Sequence, residues 1–396
     1  MIILLRNLKQ RLSSYRITLA QPCDKFKQLL RLNRKVNAMH IVRFCSSLSA
    51  NCRYFLLLIL TSASAQAAVL PEPTIELIYD LKQSMVKIGT TTKSGGHGFG
   101  TGVAVSKDHV VTNCHVLGNA NGISVSKWGT EYPAESLQAD WKHDLCILKV
   151  QYADLKPIAM ADSSKLNYEQ QVISISMPND SPAPFVALST VKALYTLDNE
   201  QVIRTQAAFA IGASGSPVFD YEGKLIAIST FKSPGKNAYY YNMPINIVKA
   251  LLLTESVPLN SMHAAPFWDA AENDRPFFMQ IVMPYQNNRW QDVQTIAKNW
   301  VEKEPASAEA WYYLGRSAQN LADVNSAKTH FNKALSLQAN HPASLQAIAQ
   351  IAQIEGKQSE ADKIRVTLKE INPELLEGLD LAGSDTAKQD AQNVEQ

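Results

Sequence analysis

The chain of 396 residues is long enough for two or three domains. Its formal charge of +2 averages two unlike parts: residues 1–67 hold 11 Lys/Arg against one Asp, which leaves 27 Lys/Arg against 35 Asp/Glu in the remainder, a net −8. A mildly acidic body excludes nucleic acid and an anionic membrane surface as the main partner.

The leader carries a targeting pattern. Arg43 and Arg53 precede the apolar run Tyr54–Leu60, small residues follow to Ala68, and Ala65-Gln66-Ala67 is an A-x-A signal that predicts cleavage before Ala68. The run is too short to span a bilayer, and no Cys stands at the cut to take a lipid. The mature chain is therefore expected to be exported, periplasmic or secreted, with no stable membrane anchor. The Arg/Lys-rich stretch before Met39 is unusual for such a signal. It is either an upstream start, with Met39 the true one, or an amphipathic organellar presequence.

After the leader, Glu76–Lys87 predicts a short helix running into a first strand, Val86–Gly89. Thr91–Gly102 holds five glycines. It is not a phosphate loop, because no Lys and no helix follow it, and it reads as a hairpin loop. Short apolar segments with turn signals between them then recur: Val103–Val105, His109–Thr112, Gly122–Lys127, Leu145–Val150, Gln171–Met177, Val191–Leu197, Gln201–Ala207, Ser216–Asp220, Lys224–Thr230 and Ala238–Pro244. Many short strands without a long helical period predict an all-β barrel or sandwich, closed by a helix over Ile245–Leu253.

Three stretches in this region carry chemistry. Val110-Val111-Thr112-Asn113-Cys114-His115-Val116 ends on a His. Asp144 opens the apolar strand Leu145–Val150. Gly212-Ala213-Ser214-Gly215-Ser216-Pro217 places a Ser between glycines on a tight turn, where backbone N–H groups converge on one small space. A lone serine hydroxyl is a poor nucleophile at neutral pH and needs a base that is itself oriented. Of the five cysteines, Cys114 and Cys146 lie beyond the leader, one beside His115 and one two residues after Asp144. In an exported chain an even pair is either a disulfide or two buried thiols. No C-x-x-C or paired-His spacing occurs, so no metal and no cofactor is expected. His109 and His143 fall near strands and read as structural.

Residues 258–288 read as a Pro-containing linker whose aromatics, Phe267, Trp268, Phe277 and Phe278, are expected to dock it onto a neighbour. From Trp290 the period becomes helical, and residues 381–396 are polar and read as a disordered tail.

The order His, Asp, Ser resembles that of the trypsin-like (chymotrypsin-fold) serine peptidases, closest to the bacterial HtrA/Deg-type and glutamyl-endopeptidase-type branches, over Ile75–Leu253. The resemblance implies two six-stranded barrels over residues 73–257, with the triad in the cleft between them. It implies His115 as general base, Asp144 as its orienter, Ser214 as nucleophile, and the N–H groups of Gly212 and Ser214 as oxyanion hole. Gly98-Phe99-Gly100-Thr101-Gly102 matches the family's Gly-x-Gly-Thr-Gly. Ser229 is expected to support Asp144, and the approach of His115 and Asp144 would bring Cys114 and Cys146 within bridging distance. Residue 213 is Ala where trypsin-like zymogens carry an Asp, so activation by a new N-terminus is not expected. Ala208, Thr230 and Phe231 are expected at the specificity pocket. With no Asp at Ala208, and Ile228 where glutamyl endopeptidases have a His, the resemblance implies a small or medium apolar preference on the acyl side of the cut.

The helical part resembles tetratricopeptide repeats. Trp311, Leu314, Gly315, Ala327, Phe331 and Ala334 stand at that repeat's spacing, and a shift of 34 residues gives Leu345, Ile348, Ala349, Ala361, Arg365 and Leu368, with Arg365 and Ala339 departing from the pattern. Fold and function are thus expected to be an all-β double barrel followed by an all-α tetratricopeptide-type array over residues 289–380. Such a chain would be a serine endopeptidase acting on protein or peptide substrates, with the repeats recruiting a protein partner and taking no part in cleavage. The competing expectation is a silent peptidase-fold scaffold working through its repeats. An esterase is excluded by the triad order and the lack of a parallel-sheet nucleophile elbow.

Overall fold

The computed structural model describes residues 72–92, 94–178, 183–209, 212–261, 264–376 and 379. The expectations for the leader and for the tail lie outside them.

Helix α1 (Ile75–Lys82) is capped by Thr74, whose hydroxyl accepts from Leu77 N–H, and it buries Leu81. The helix ends five residues before the expected Lys87 because Met85 already opens β1 (Met85–Thr92). Strands β2 (His97–Ala104), β3 (His109–Thr112), β4 (Ala120–Lys127), β5 (Thr130–Asp140) and β6 (Leu145–Val150) complete a first closed barrel in the order β1-β2-β3-β6-β5-β4. A second closed barrel, β10-β11-β12-β9-β8-β7, is built from β7 (Gln171–Ser176), β8 (Phe185–Leu197), β9 (Glu200–Thr205), β10 (Pro217–Asp220), β11 (Leu225–Lys232) and β12 (Tyr240–Pro244), followed by α3 (Ile245–Leu251). These are the two six-stranded barrels of a chymotrypsin-like fold.

The sequence reading missed β5 and placed the glycine run in a loop. Strand β5 escapes because half of Thr130–Asp140 is polar and only Leu137 and Gln138 are fully buried. The glycine run is largely strand β2, paired residue by residue with β1 from His97↔Thr91 to Val103↔Met85. Gly100 is needed there for close approach: a Cβ would lie 2.7 Å from Val116 Cγ1 and 3.3 Å from the Ser214 carbonyl oxygen.

The described part of residues 258–288 is folded. It contains a 3₁₀ turn at Phe267–Asp269 and two short helices, α4 (Phe277–Gln280) and α5 (Val282–Gln286). Beyond them α6 (Trp290–Lys303), α7 (Ala308–Asn320), α8 (Val324–Leu337), α9 (Pro342–Ile354) and α10 (Gln358–Ile371) each pack against the next. A Cβ on Gly315 of α7 would fall 2.6 Å from the Phe331 ring of α8, so this pair closes on a glycine.

The expected division into barrel domain and helical domain does not appear as a break in packing. One apolar core runs from Tyr195, Phe219 and Tyr241 of the second barrel through Phe278 to Trp300 of α6 and Tyr313 of α7. Tyr195 stacks on Phe278 at 4.8 Å, and Tyr168 donates its hydroxyl to Glu309 of α7 at 3.0 Å. The described residues, from 72 onward, belong to one compact unit.

Candidate active site

His115 sits in α2 (Cys114–Leu117), a single turn that follows β3 and is held by Asn113. The Asn113 amide is fully buried and donates to the Asp144 carbonyl at 2.9 Å and to the Thr230 hydroxyl at 3.1 Å. Cys114 N–H donates to the same Asp144 carbonyl at 3.3 Å. Cys114 is bridged to Cys146 in β6, so the turn bearing the His and the strand following the Asp are covalently joined.

Asp144 ends the loop between β5 and β6 with φ 59°, a left-handed conformation that Asp tolerates better than most residues. Its side chain is fully buried. Oδ1 accepts from His115 N–H at 2.8 Å, and Oδ2 lies 2.6 Å from His115 Nδ1. On the other side of the ring, Nε2 is 2.9 Å from Ser214 Oγ. A nucleophile, a base and a buried carboxylate therefore stand in one hydrogen-bonded line, drawn from both barrels.

The Ser214 turn depends on two glycines in the left-handed region, Gly212 with φ 91° and Gly215 with φ 86°. It is tied to the first barrel through β2. Thr101 N–H donates to the Ser214 carbonyl at 2.8 Å, and the Thr101 hydroxyl donates to the Gly212 carbonyl at 3.0 Å. It is tied to the second barrel through Gly215 N–H, which donates to the Ser229 carbonyl at 3.0 Å. Among the described residues, the N–H groups of Gly212 and Ser214 have no acceptor. Both are thus available to an oxygen placed above the turn.

Two expectations are corrected. Ser229 does not reach Asp144: its hydroxyl donates to Asn242 Oδ1 at 2.8 Å, because β11 pairs Ser229 directly with Asn242 of β12 and turns its side chain into that barrel. Its main chain supports the nucleophile turn instead. Thr230 is buried, donates to the Ile228 carbonyl and accepts from Asn113, so its hydroxyl joins the two barrels and is taken up by these bonds. The register shift between Ser229 and Phe231 in the β11–β12 pairing reorients these consecutive side chains.

Phe231 is half-buried, stacked on Tyr241 at 4.6 Å, while Ala208 is exposed on the segment after β9. A cavity of about 190 Å³ opens beside Phe231 and Trp268, walled by Tyr241, Met279 and Met283 and edged by Glu272 and Arg275. Sequence reasoning placed Trp268 in the docking linker and gave it no part in the site. In the structure its indole Nε1–H donates to Asp144 Oδ2 at 3.1 Å, and its ring meets the His115 ring edge-on at 5.5 Å.

His143, expected to be structural, is a bridge. Its Nδ1 lies 2.6 Å from Asp140 Oδ2 and its Nε2 lies 3.0 Å from Asp198 Oδ2, at the tip of the β8–β9 hairpin. Desolvation pulls its pKa down, but the hydrogen bond and charge of Asp140 and the charge of Asp198 outweigh it, and the net shift is upward. His109 pairs with Asp108 at 2.8 Å on the opposite end of β3 from His115. Among the described residues, no group of three or more His, Cys, Asp or Glu side chains could hold a metal ion. No described helix is long and apolar enough to cross a membrane.

Residues 100–228 match the model of the trypsin-like peptidase domain. Among curated proteins, the chain is 33% identical over 147 residues to a probable periplasmic serine endoprotease DegP-like of Chlamydia muridarum, covering 35% of this chain and 29% of that protein. It is 30% identical over 165 residues to the periplasmic pH-dependent serine endoprotease DegQ of Escherichia coli, covering 39% and 36%. The chain thus spans about a third of the length of these relatives. Among solved structures it is similar to a protease from M. tuberculosis in its active form, with 20% identity, TM-score 0.43 and coverage of 49% and 94%. It is also similar to the HtrA-type protease AlgW with tripeptide, with 22% identity, TM-score 0.42 and coverage of 46% and 62%. The match over residues 100–228 shows a trypsin-like peptidase region in this part of the chain.

Proposed function

We propose that the chain is a serine endopeptidase that cleaves peptide bonds through an acyl-enzyme formed on Ser214. The observation that carries this reading is the continuous line from buried Asp144 through His115 to Ser214, with spacings of 2.6 and 2.9 Å. In the proposed sequence the Ser214 Oγ attacks the scissile carbonyl as His115 Nε2 takes its proton. Asp144 holds the neutral ring by its Nδ1–H and then stabilises the imidazolium. The carbonyl oxygen, now negative, accepts from the N–H groups of Gly212 and Ser214. Collapse expels the amine, which leaves with the proton from Nε2. Water then attacks the ester with His115 again as base, releasing the acid and restoring Ser214.

The naming of the relatives as serine endoproteases supports protein or peptide substrates. Ala208 in place of an acidic residue, together with Phe231, supports a small or medium apolar residue on the acyl side. The leader pattern and the periplasmic naming of the relatives support an exported, periplasmic protein. The hairpin pairs α7–α8 and α9–α10, with Gly315 against Phe331, support tetratricopeptide-type repeats that take up a protein partner.

A fluorophosphonate probe tests the central claim. It should label the mature chain and leave Ser214→Ala unlabelled, and absence of labelling in the unaltered chain means a silent scaffold. Profiling a peptide library tests the preference, and dominant cleavage after Arg, Lys or Glu would contradict it.

A further inference from the structure

A buried carboxylate needs its acceptor sites filled, and Asp144 is filled in an unusual way. Two of its hydrogen bonds come from His115 itself, the main-chain N–H to Oδ1 and the ring to Oδ2. Bonds that a carboxylate makes only to the residue it orients cannot fix the pair against the rest of the protein. Among the described residues, the one donor to this carboxylate from outside His115 is the Trp268 indole at 3.1 Å. Indole N–H is a donor and never an acceptor, so Oδ2 is the acceptor in this bond, which is stronger to a carboxylate than to a neutral carboxyl. That bond opposes proton transfer from Nδ1 to Asp144 when the ring becomes charged. The same indole packs its ring at 86° to the imidazole and covers one side of it.

Trp268 is itself held twice. Phe267 N–H donates at 3.0 Å to the carbonyl of Lys142, two residues before Asp144, and the indole stacks on Phe231 at 6.1 Å. The next rings along lead away from the cleft: Phe267 meets Phe278 at 6.3 Å, Phe278 stacks on Tyr195, and Tyr195 meets Trp300 of α6 at 6.2 Å. The segment that touches the triad is thereby seated by the helical region.

We propose that Trp268 is a positioning residue for His115 and Asp144, supplied by the segment beyond the barrels, so that the docked 267–278 segment is a condition of full hydrolytic competence. This rests on the reading of His115, Asp144 and Ser214 as a triad. Asp144 is the one charged group within ion-pair reach of His115 among the described residues, so its loss of a donor should be felt directly at the ring.

The test is Trp268→Phe in the full chain, which keeps an aromatic ring beside His115 and Phe231 and removes the N–H together with part of the ring. We expect kcat for a short peptide to fall about tenfold with KM unchanged, the size of losing one hydrogen bond to a charged group. A merely structural tryptophan would not lower kcat while leaving KM unchanged. If Trp268→Phe keeps the parent kcat while Ser214→Ala is inactive, the inference is overturned and the triad reading stands. If the unaltered chain neither hydrolyses nor labels, both fall. A second measurement does not depend on that variant folding: in Ser214→Ala, the Trp268 indole N–H should be protected from hydrogen exchange by its bond to Asp144, and an indole N–H that exchanges freely overturns the inference.

Discussion

Cutting the chain after Asn260 separates the packing seen here from the division of labour expected from the sequence. If the helices only recruit a partner, the remaining barrels should cleave a short peptide within about threefold of the full chain, under 1 kcal/mol of transition-state stabilisation. The structure predicts a far larger loss. Tyr195 and Tyr241, at 1% and 0% exposed, would lose Phe278 and Trp300, and Phe231 would lose Phe267 and Trp268. Re-exposing two buried aromatics and part of a third costs about 4–6 kcal/mol at the usual worth of a large buried side chain. That is a large share of a domain's total stability of about 5–15 kcal/mol. Asp144 also loses its indole donor. The cut chain should melt roughly 10–20 °C lower, or lose its cooperative transition altogether, and its kcat/KM should drop by roughly two orders of magnitude or more as Asp144 and His115 lose their support. Scanning calorimetry with near-ultraviolet circular dichroism reads the first effect, and hydrolysis of a short chromogenic peptide reads the second. A cut chain that melts cooperatively within about 5 °C of the parent and keeps kcat/KM within about threefold would refute the shared core.

Two further outcomes follow from particular contacts. His143 has its folded pKa raised above the ordinary 6.5, so its bridge to Asp140 and Asp198 contributes stability that is fully present below 6.5 and is lost as pH rises through the folded value. Urea midpoints should therefore fall from pH 6 to 8 in the parent and stay flatter in His143→Gln; equal slopes would show that the bridge carries no linked proton. The Cys114–Cys146 bridge closes a separation of 32 residues, and the chain-entropy model sets its loss at about 3–4 kcal/mol. Replacing both cysteines by Ser should lower thermal stability accordingly and slow probe labelling of Ser214, since the His115 turn and β6 are then joined by hydrogen bonds alone.

What could be read from the sequence was local. His115, Asp144 and Ser214 each lie in a short motif whose neighbours explain it: a strand end with Asn113, a strand start with Leu145, a turn with Gly212 and Gly215. Their order along the chain supplied the rest. What failed needed knowledge of which face a side chain takes after folding. Ser229 reads as a support for Asp144 only until β11 pairs it with Asn242, and Thr230 reads as a pocket residue only until a register shift turns it to Asn113. Strand β5 was lost because a barrel strand with one wet face carries little apolar signal.

Trp268 shows why the site was only partly legible. The linker aromatics signalled docking, but nothing local says what they dock on, and the partner atom lies 124 residues back in the chain. A match confined to residues 100–228 contains His115, Asp144 and Ser214 and stops well short of 268. The peptidase region can therefore be recognised without the one outside donor that its buried carboxylate uses here. That donor comes from a part of the chain that lies outside the matched residues 100–228. A carboxylate at 0% exposure cannot hold its charge cheaply with unfilled acceptor sites, so whatever docks in place of this segment in another architecture must solve the same problem. Here the solution also joins Asp144 to the helices, because Phe267 beside the indole meets Phe278, Phe278 stacks on Tyr195, and Tyr195 meets Trp300 of α6.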